Sequence, residues 1–181
     1  MKNFYVFLDI DGVLYDWEYL ISEIKNGRMK KGKLIRKFKP ESMEALNLLL
    51  RKLEKNYNVS LVISSTWRRD MPFAIETLKA NGLEYDKEFT RTPFSNPAQR
   101  GKQILEYLSD KENFDFLIID DEMFDFKKFF CKDKIIKCDM FHSALSITMV
   151  SDFLSKVSKP GELVDRKKDN INNEDEMSCD K

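Results

Sequence analysis

Short apolar runs alternate with amphipathic stretches along the chain. Tyr5 to Leu8, Val59 to Ile63 and Phe116 to Ile119 are compact runs with little polar alternation, and a weaker run spans Lys134 to Cys138. Runs of this kind predict strands buried on both faces, as in a parallel sheet covered by helices. Between the first two, Pro40 and Glu41 precede Met43, Leu46, Leu50, Leu53 and Tyr57. Their three- and four-residue spacing predicts a long helix with one apolar face, ended by Asn56 and Asn58. Pro72 to Ala80 reads as a helix stopped by Asn81-Gly82. Further helices are expected around Lys102 to Leu108 and over Ser143 to Val157, where Leu145, Met149, Phe153 and Val157 supply core contacts. The order strand, helix, strand, helix, strand predicts an α/β fold: a doubly wound, mainly parallel sheet with helices on both faces.

The chain has 181 residues, enough for one well-filled core, and residues 1–158 are expected to form a single domain. Within it, residues 16–39 form a small polar insertion with Lys or Arg at positions 25, 28, 30, 31, 33, 36, 37 and 39. It is either a solvated loop or short helix, or a basic rim that gathers an anionic substrate. Residues 88–97 read as a linker, and 159–181, poor in aliphatic residues, as a flexible polar tail. Lys plus Arg and Asp plus Glu both number 31, so overall charge makes no case for nucleic-acid binding and leaves only a local patch open. Three cysteines, Cys131, Cys138 and Cys179, without a histidine cluster suggest reduced thiols. The first apolar segment is too short for a signal peptide or a membrane span, so a cytoplasmic location without membrane attachment is expected.

Each of the three strong runs finishes in polar chemistry. Asp9 and Asp11 follow the first, Ser64-Ser65-Thr66 the second and Asp120-Asp121-Glu122 the third. The carboxyl ends of parallel strands converge on one edge, where ligand sites form. Gly12 lets the backbone turn beyond the Asp9/Asp11 pair. Several carboxylates meeting there repel one another unless a cation neutralises them, and oxygen ligands beside phosphate chemistry favour Mg²⁺. Ser64 offers a hydroxyl, with neighbouring backbone N–H groups, to phosphate oxygens; helix capping is its alternative role and can fall instead to Ser65 or Thr66. Arg100 or Lys102 could set a cation beside the phosphate, or either could be a solvated first-turn residue.

The ordered series Asp9-Ile10-Asp11-Gly12, Leu61-Val62-Ile63-Ser64, Arg100/Lys102 and Ile118-Ile119-Asp120-Asp121 resembles the four motifs of the haloacid dehalogenase-like (HAD) phosphatase superfamily. The longer strings Phe7 to Leu14, Ser64-Ser65-Thr66-Trp67-Arg68, Arg100-Gly101-Lys102-Gln103-Ile104 and Ile119 to Glu122 resemble the small phosphatase-like domains associated with RNA repair proteins. The likeness covers roughly residues 3 to 150 and implies a HAD-like core with minimal or no cap. It also implies a Mg²⁺-dependent phosphomonoesterase working through an aspartyl-phosphate. On that likeness Asp9 is the nucleophile, and Asp11 protonates the leaving oxygen and then activates water. Asp9, the backbone carbonyl of Asp11 and Asp120 bind Mg²⁺, with Asp121 as a further ligand or water-holder. Ser64 and a basic residue hold the phosphoryl group; Lys102 is slightly favoured there, leaving Arg100 for substrate or carboxylate contacts.

The small cap makes a polynucleotide terminus an accessible substrate, with Ser65, Trp67 and Arg68 as expected substrate contacts through stacking and charge. Trp67 can equally pack against the following helix. Phe124, Phe126, Phe129 and Phe130 suit core packing or a ligand wall, and His142 a surface role. A small-metabolite phosphatase and a HAD-like binding module without catalysis are the alternative functions, and a monomer or weak homodimer is the expected state.

Overall fold

The three strong apolar runs become the centre of one sheet in the computed structural model, which describes residues 1–27, 37–96 and 98–157. Strand β1 (Lys2–Leu8) lies between β2 (Tyr57–Ile63) and β4 (Phe114–Asp120). The edges are β3 (Thr90–Arg91) beside β2 and β5 (Ile135–Lys137) beside β4. All four pairings are parallel and the order is β3-β2-β1-β4-β5. This is the α/β, Rossmann-like architecture that the hydrophobic pattern predicts.

Alternation along β1 divides the core. Phe4, Val6 and Leu8 join Leu46, Leu49 and Leu53 of α2 (Pro40–Glu54) and Val150 and Phe153 of α5 (Ile147–Val157). Tyr5 and Phe7 face the other way, onto Ile104 and Leu108 of α4 (Arg100–Leu108) together with Phe116, Phe126 and Phe130. Successive strand residues point to opposite faces, so a strand clad on both sides must be apolar throughout.

Several boundaries differ from the sequence reading, each for a local reason. The long helix ends at Glu54, and Tyr57 opens β2 opposite Lys2, because the sheet ladder captures it. Part of the polar insertion is a helix, α1 (Trp17–Lys25), capped by Asp16, whose carboxylate accepts the Tyr19 N–H at 2.8 Å. The chain returns to the core at Lys39, whose ammonium pairs with Asp16 at 2.8 Å. The expected linker contributes the short edge strand β3. Helix α3 (Met71–Ala80) is capped by Asp70. Helix α4 starts two residues before the expected Lys102, because the Asp125 carboxylate accepts the Gly101 N–H at 2.6 Å and the Lys102 N–H at 3.2 Å. Helix α5 starts at Ile147, after the buried Ala144 and Leu145.

The basic positions 28, 30, 31, 33 and 36, the tail 159–181 and Cys179 lie outside the described residues. Cys138 is a free thiol. No helix among the described residues is long and apolar enough to cross a membrane.

Phe7 is fully buried and meets Tyr107 and Phe116 edge-on at 5.5 and 6.3 Å between ring centroids. Phe7→Ala is expected to lower unfolding stability by about 3–5 kcal/mol, read as a fall in the urea midpoint at unchanged m-value.

Candidate active site

Strand register assembles the site. Leu8 stands opposite both Ile63 and Ile119, so the residues that follow, Asp9, Ser64 and Asp120, emerge side by side at the carboxyl edge. Two backbone hydrogen bonds extend the ladder into the site, from Asp9 N–H to the Ile119 carbonyl at 2.9 Å and from Ser64 N–H to the Leu8 carbonyl at 3.0 Å. The Ser65 N–H also donates to the Leu8 carbonyl, at 3.3 Å. The Ser64 and Ser65 amides are therefore occupied in the sheet edge.

Asp9 and Asp120 are buried, and one guanidinium serves both. Arg100 Nη1 is 2.9 Å from Asp9 and 2.6 Å from Asp120, while the other Asp120 oxygen accepts the Glu122 N–H at 2.9 Å. Phe124 lies under this guanidinium, 4.4 Å from ring centroid to guanidinium carbon, and holds a positive φ of 36°. For a bulky side chain that backbone is strained, and such strain persists where surrounding packing enforces it. Lys102, by contrast, is exposed. The two residues are about 200° apart around the helix axis, so when one faces the carboxylates the other cannot. Of the two candidates, Arg100 is the one in contact with Asp9.

One cation does not balance the site. Asp9, Asp120 and Asp121 can each offer an oxygen within 4.8 Å of the others. Burial pushes the Asp9 carboxyl well above the usual carboxylate range and the Asp120 charge adds to this, against the pull of Arg100. Burial likewise raises Asp120, to about 6, with Arg100 opposing. Asp121 is raised by burial and then by Glu122, against Lys137. Burial alone would lower the Arg100 pKa, but Asp9 and Asp120 hold it above its ordinary value. Cys138, beside this edge, is buried and its thiol is pushed up to about 12, chiefly by desolvation, which leaves it inert.

The hydroxyls divide the labour. Ser65 Oγ accepts the Trp67 N–H at 3.4 Å, at the start of the 3₁₀ turn Thr66–Arg69. Ser64 Oγ is buried without a hydrogen-bond partner among the described residues, and so is Thr92 Oγ1, just beyond β3. Thr92 lies where the sequence suggested only a linker, since a two-residue strand leaves almost no periodic signal.

Trp67 packs against the following helix, one of its two expected roles, and Arg68 points inward. The Trp67 indole N–H donates to the Asp11 carboxylate at 3.0 and 3.2 Å, and the ring stacks on Phe73 at 5.4 Å. The Tyr15 hydroxyl also donates to Asp11, a contact the sequence reading missed although Tyr15 is only four residues on. Arg68 is 2 % exposed and its guanidinium is spent on the backbone carbonyls of Ser64 and Ser65 and on Gln103 Oε1 at 2.5 Å. The side chain laces the β2 exit to α4 and does not face solvent.

Residues 5–147 match the family described as the HAD domain in Swiss Army Knife RNA repair proteins. The chain belongs to this family. Searches among curated proteins and solved structures gave no match. The match spans every strand exit named above, so the site is that of a HAD domain carrying an acidic cluster at its sheet edge.

Three carboxylate oxygens with a net negative balance form a donor set that suits a hard divalent cation. The backbone supports this fit. Gly12, at φ 73°, lies directly under Asp121, and a Cβ there would overlap the Asp121 carboxylate. Only glycine combines this turn with that approach. Asp9, Asp120 and Asp121 are therefore the residues of this HAD domain that could hold a divalent cation.

Metal binding must displace the protons that burial stabilises. An acid whose folded pKa is raised contributes stability below its unfolded pKa, and that contribution is lost as pH rises through the folded value. For Asp120 the window runs from the ordinary 3.8 to about 6. Above it the site is short of positive charge, so saturating MgCl₂ is expected to raise the melting temperature more at about pH 7.5 than at about pH 5. Asp120→Asn should flatten this difference in a thermal-shift assay. Gly12→Ala should weaken Mg²⁺ binding in the same assay by about tenfold or more, through displacement of Asp121 and the strained φ.

Proposed function

We propose that this HAD domain is a Mg²⁺-dependent phosphomonoester hydrolase that removes terminal phosphates from polynucleotides through an aspartyl-phosphate on Asp9. The observation that carries the reading is the cluster of buried Asp9 and Asp120 with half-buried Asp121, beside a Ser64 hydroxyl that has no hydrogen-bond partner among the described residues. The RNA-repair description of the family favours a nucleic-acid substrate.

In this reading Ser64 Oγ donates to a non-bridging phosphoryl oxygen, and Arg100 balances charge between that oxygen and Asp9. Asp9 Oδ attacks phosphorus as the P–O ester bond breaks, and Asp11 delivers its proton to the departing alkoxide. Asp11, now a carboxylate, takes a proton from water, which attacks the phosphoryl group, frees inorganic phosphate and restores the Asp9 carboxylate. Bound Mg²⁺ would neutralise the cluster and polarise a phosphoryl oxygen. The Asp11 backbone carbonyl is assigned as a further Mg²⁺ ligand on the family likeness alone.

Asp11 must alternate between acid and base without leaving its place. Trp67 and Tyr15 both donate to it, and both rings pack near Phe38, with centroids at 5.8 and 6.1 Å. They act as positioning residues and leave the chemistry to the carboxylate. Ser65 acts through its cap on Trp67, and Lys102 stays on the solvent side of α4.

Asp9→Asn is expected to abolish phosphate release from an aryl phosphate in MgCl₂, as EDTA should in the wild type. Undiminished D9N turnover by protein purified free of host phosphatase would reject the mechanism. Trp67→Phe removes one hydrogen bond to Asp11 and should lower kcat by about ten- to a hundredfold with KM little changed. The loss should be greater for alkyl phosphates, whose leaving group needs the proton, than for 4-nitrophenyl phosphate.

A further inference from the structure

Three arginines, Arg68, Arg69 and Arg91, stand just beyond or at the ends of β2 and β3. Of the described arginines, Arg51 and Arg100 have carboxylate partners, whereas Arg68, Arg69 and Arg91 have none among the described residues. Arg68 is the buried lace between β2 and α4. Arg69 and Arg91 are exposed, and each lies close to it in space. Arg91 Nη1 donates to the Arg68 carbonyl at 2.8 Å. The guanidinium carbons of Arg69 and Arg68 lie 4.1 and 4.8 Å from the centroid of Phe94. Phe94 is 40 % exposed and follows the buried Thr92 by two residues. The N–H of that threonine, Thr92, donates to the Ile63 carbonyl at 3.2 Å, one residue before Ser64. The cross-strand bond from Thr92 to Ile63 therefore sets beside the β2 exit an exposed aromatic ring with the exposed Arg69 guanidinium over it, while the exposed Arg91 is tied to the Arg68 backbone.

We propose that Arg69, Arg91 and Phe94 form a ledge that binds the nucleotide adjoining the terminal phosphate of a single-stranded polynucleotide, with its base on Phe94 and its phosphodiester between the two arginines. The ledge rests on the phosphatase reading only for where the terminal phosphate lies. A ring that accepts any base face, set beside cations that track a backbone, is the combination used to bind single strands without sequence preference. A phosphopeptide offers neither a repeating charge nor regular π-faces, so the ledge favours nucleic acid. The electrostatics are continuous with the site. Burial, then the charge of Arg100, brings the Arg68 pKa down to about 10, with Arg69 and Arg91 adding and Asp9 opposing. An arriving phosphodiester relieves this repulsion among cations that have no carboxylate of their own.

The test measures binding apart from turnover. Full-length Asp9→Asn protein in MgCl₂ is titrated into a fluorescent single-stranded RNA carrying a terminal phosphate, and anisotropy is followed over a range of KCl. Arg69→Ala and Phe94→Ala should each weaken binding by about tenfold, and Arg69→Ala should also reduce the salt slope by about 0.7, the share of one neutralised phosphate on a single strand. Phe94→Trp should preserve affinity, because it keeps a stacking face. Lys52→Ala, which removes an equal charge from the exposed surface of α2, should change nothing. A mononucleotide with the same terminal phosphate should be insensitive to the ledge variants. Parent-like affinity and salt slope in both alanine variants would overturn the ledge, as would equal losses for the mononucleotide or tighter binding of a phosphoserine peptide. If RNA binds through the ledge while wild-type protein releases no phosphate, the catalytic reading fails and the ledge stands.

Discussion

Everything at the carboxyl edge depends on one imbalance: Arg100 is the single cation in contact with the buried Asp9 and Asp120 among the described residues, while Asp121 crowds the same space. Buried charges are tolerated only when paired and hydrogen bonded, and one guanidinium cannot neutralise three carboxylates. Burial is the chief cause of the raised acid pKa values, and the site as folded is poised to take up positive charge, which suits the cluster to a divalent cation.

The surrounding fold is built to hold that imbalance still. In-register strand exits set Asp9, Ser64 and Asp120 in a row. Gly12 brings a backbone turn against Asp121 that no side chain would permit. Asp125 ties the first amides of α4 and so fixes where the helix begins, and Phe124 supports the guanidinium from beneath. On the far side, Arg68 joins the Ser64 and Ser65 carbonyls to Gln103 of the same helix. Both ends of the row are thus tied to α4, so a shift of that helix would disturb the hydroxyl and the cation together.

On the proposed reading the arrangement also separates chemistry from recognition. Trp67 turns inward to hold Asp11, leaving Arg69, Arg91 and Phe94 as the exposed cationic and aromatic groups at this corner. An even composition, with 31 residues of each sign, conceals this local surplus because net charge averages over faces that a substrate never meets.

Local patterns in the chain were enough to specify the sheet, its parallel sense and the acidic and hydroxyl residues at its exits. Short apolar runs and helical spacings are legible without a fold, and parallel strands bring their carboxyl ends together without further information. Which cation meets Asp9 is a different matter, settled by packing. Arg100 and Lys102 are both eligible in sequence, and the choice depends on the rotation of α4, which Asp125 sets from more than twenty residues downstream. Where Arg68 points, and which of its two roles Trp67 takes, depends on packing in the same way: a 3₁₀ turn directs consecutive side chains to different faces, and burial of one guanidinium depends on two carbonyls and a glutamine from another helix. Thr92 and β3 were invisible because two strand residues carry no period. They acquire structure only from the ladder that β2 offers them.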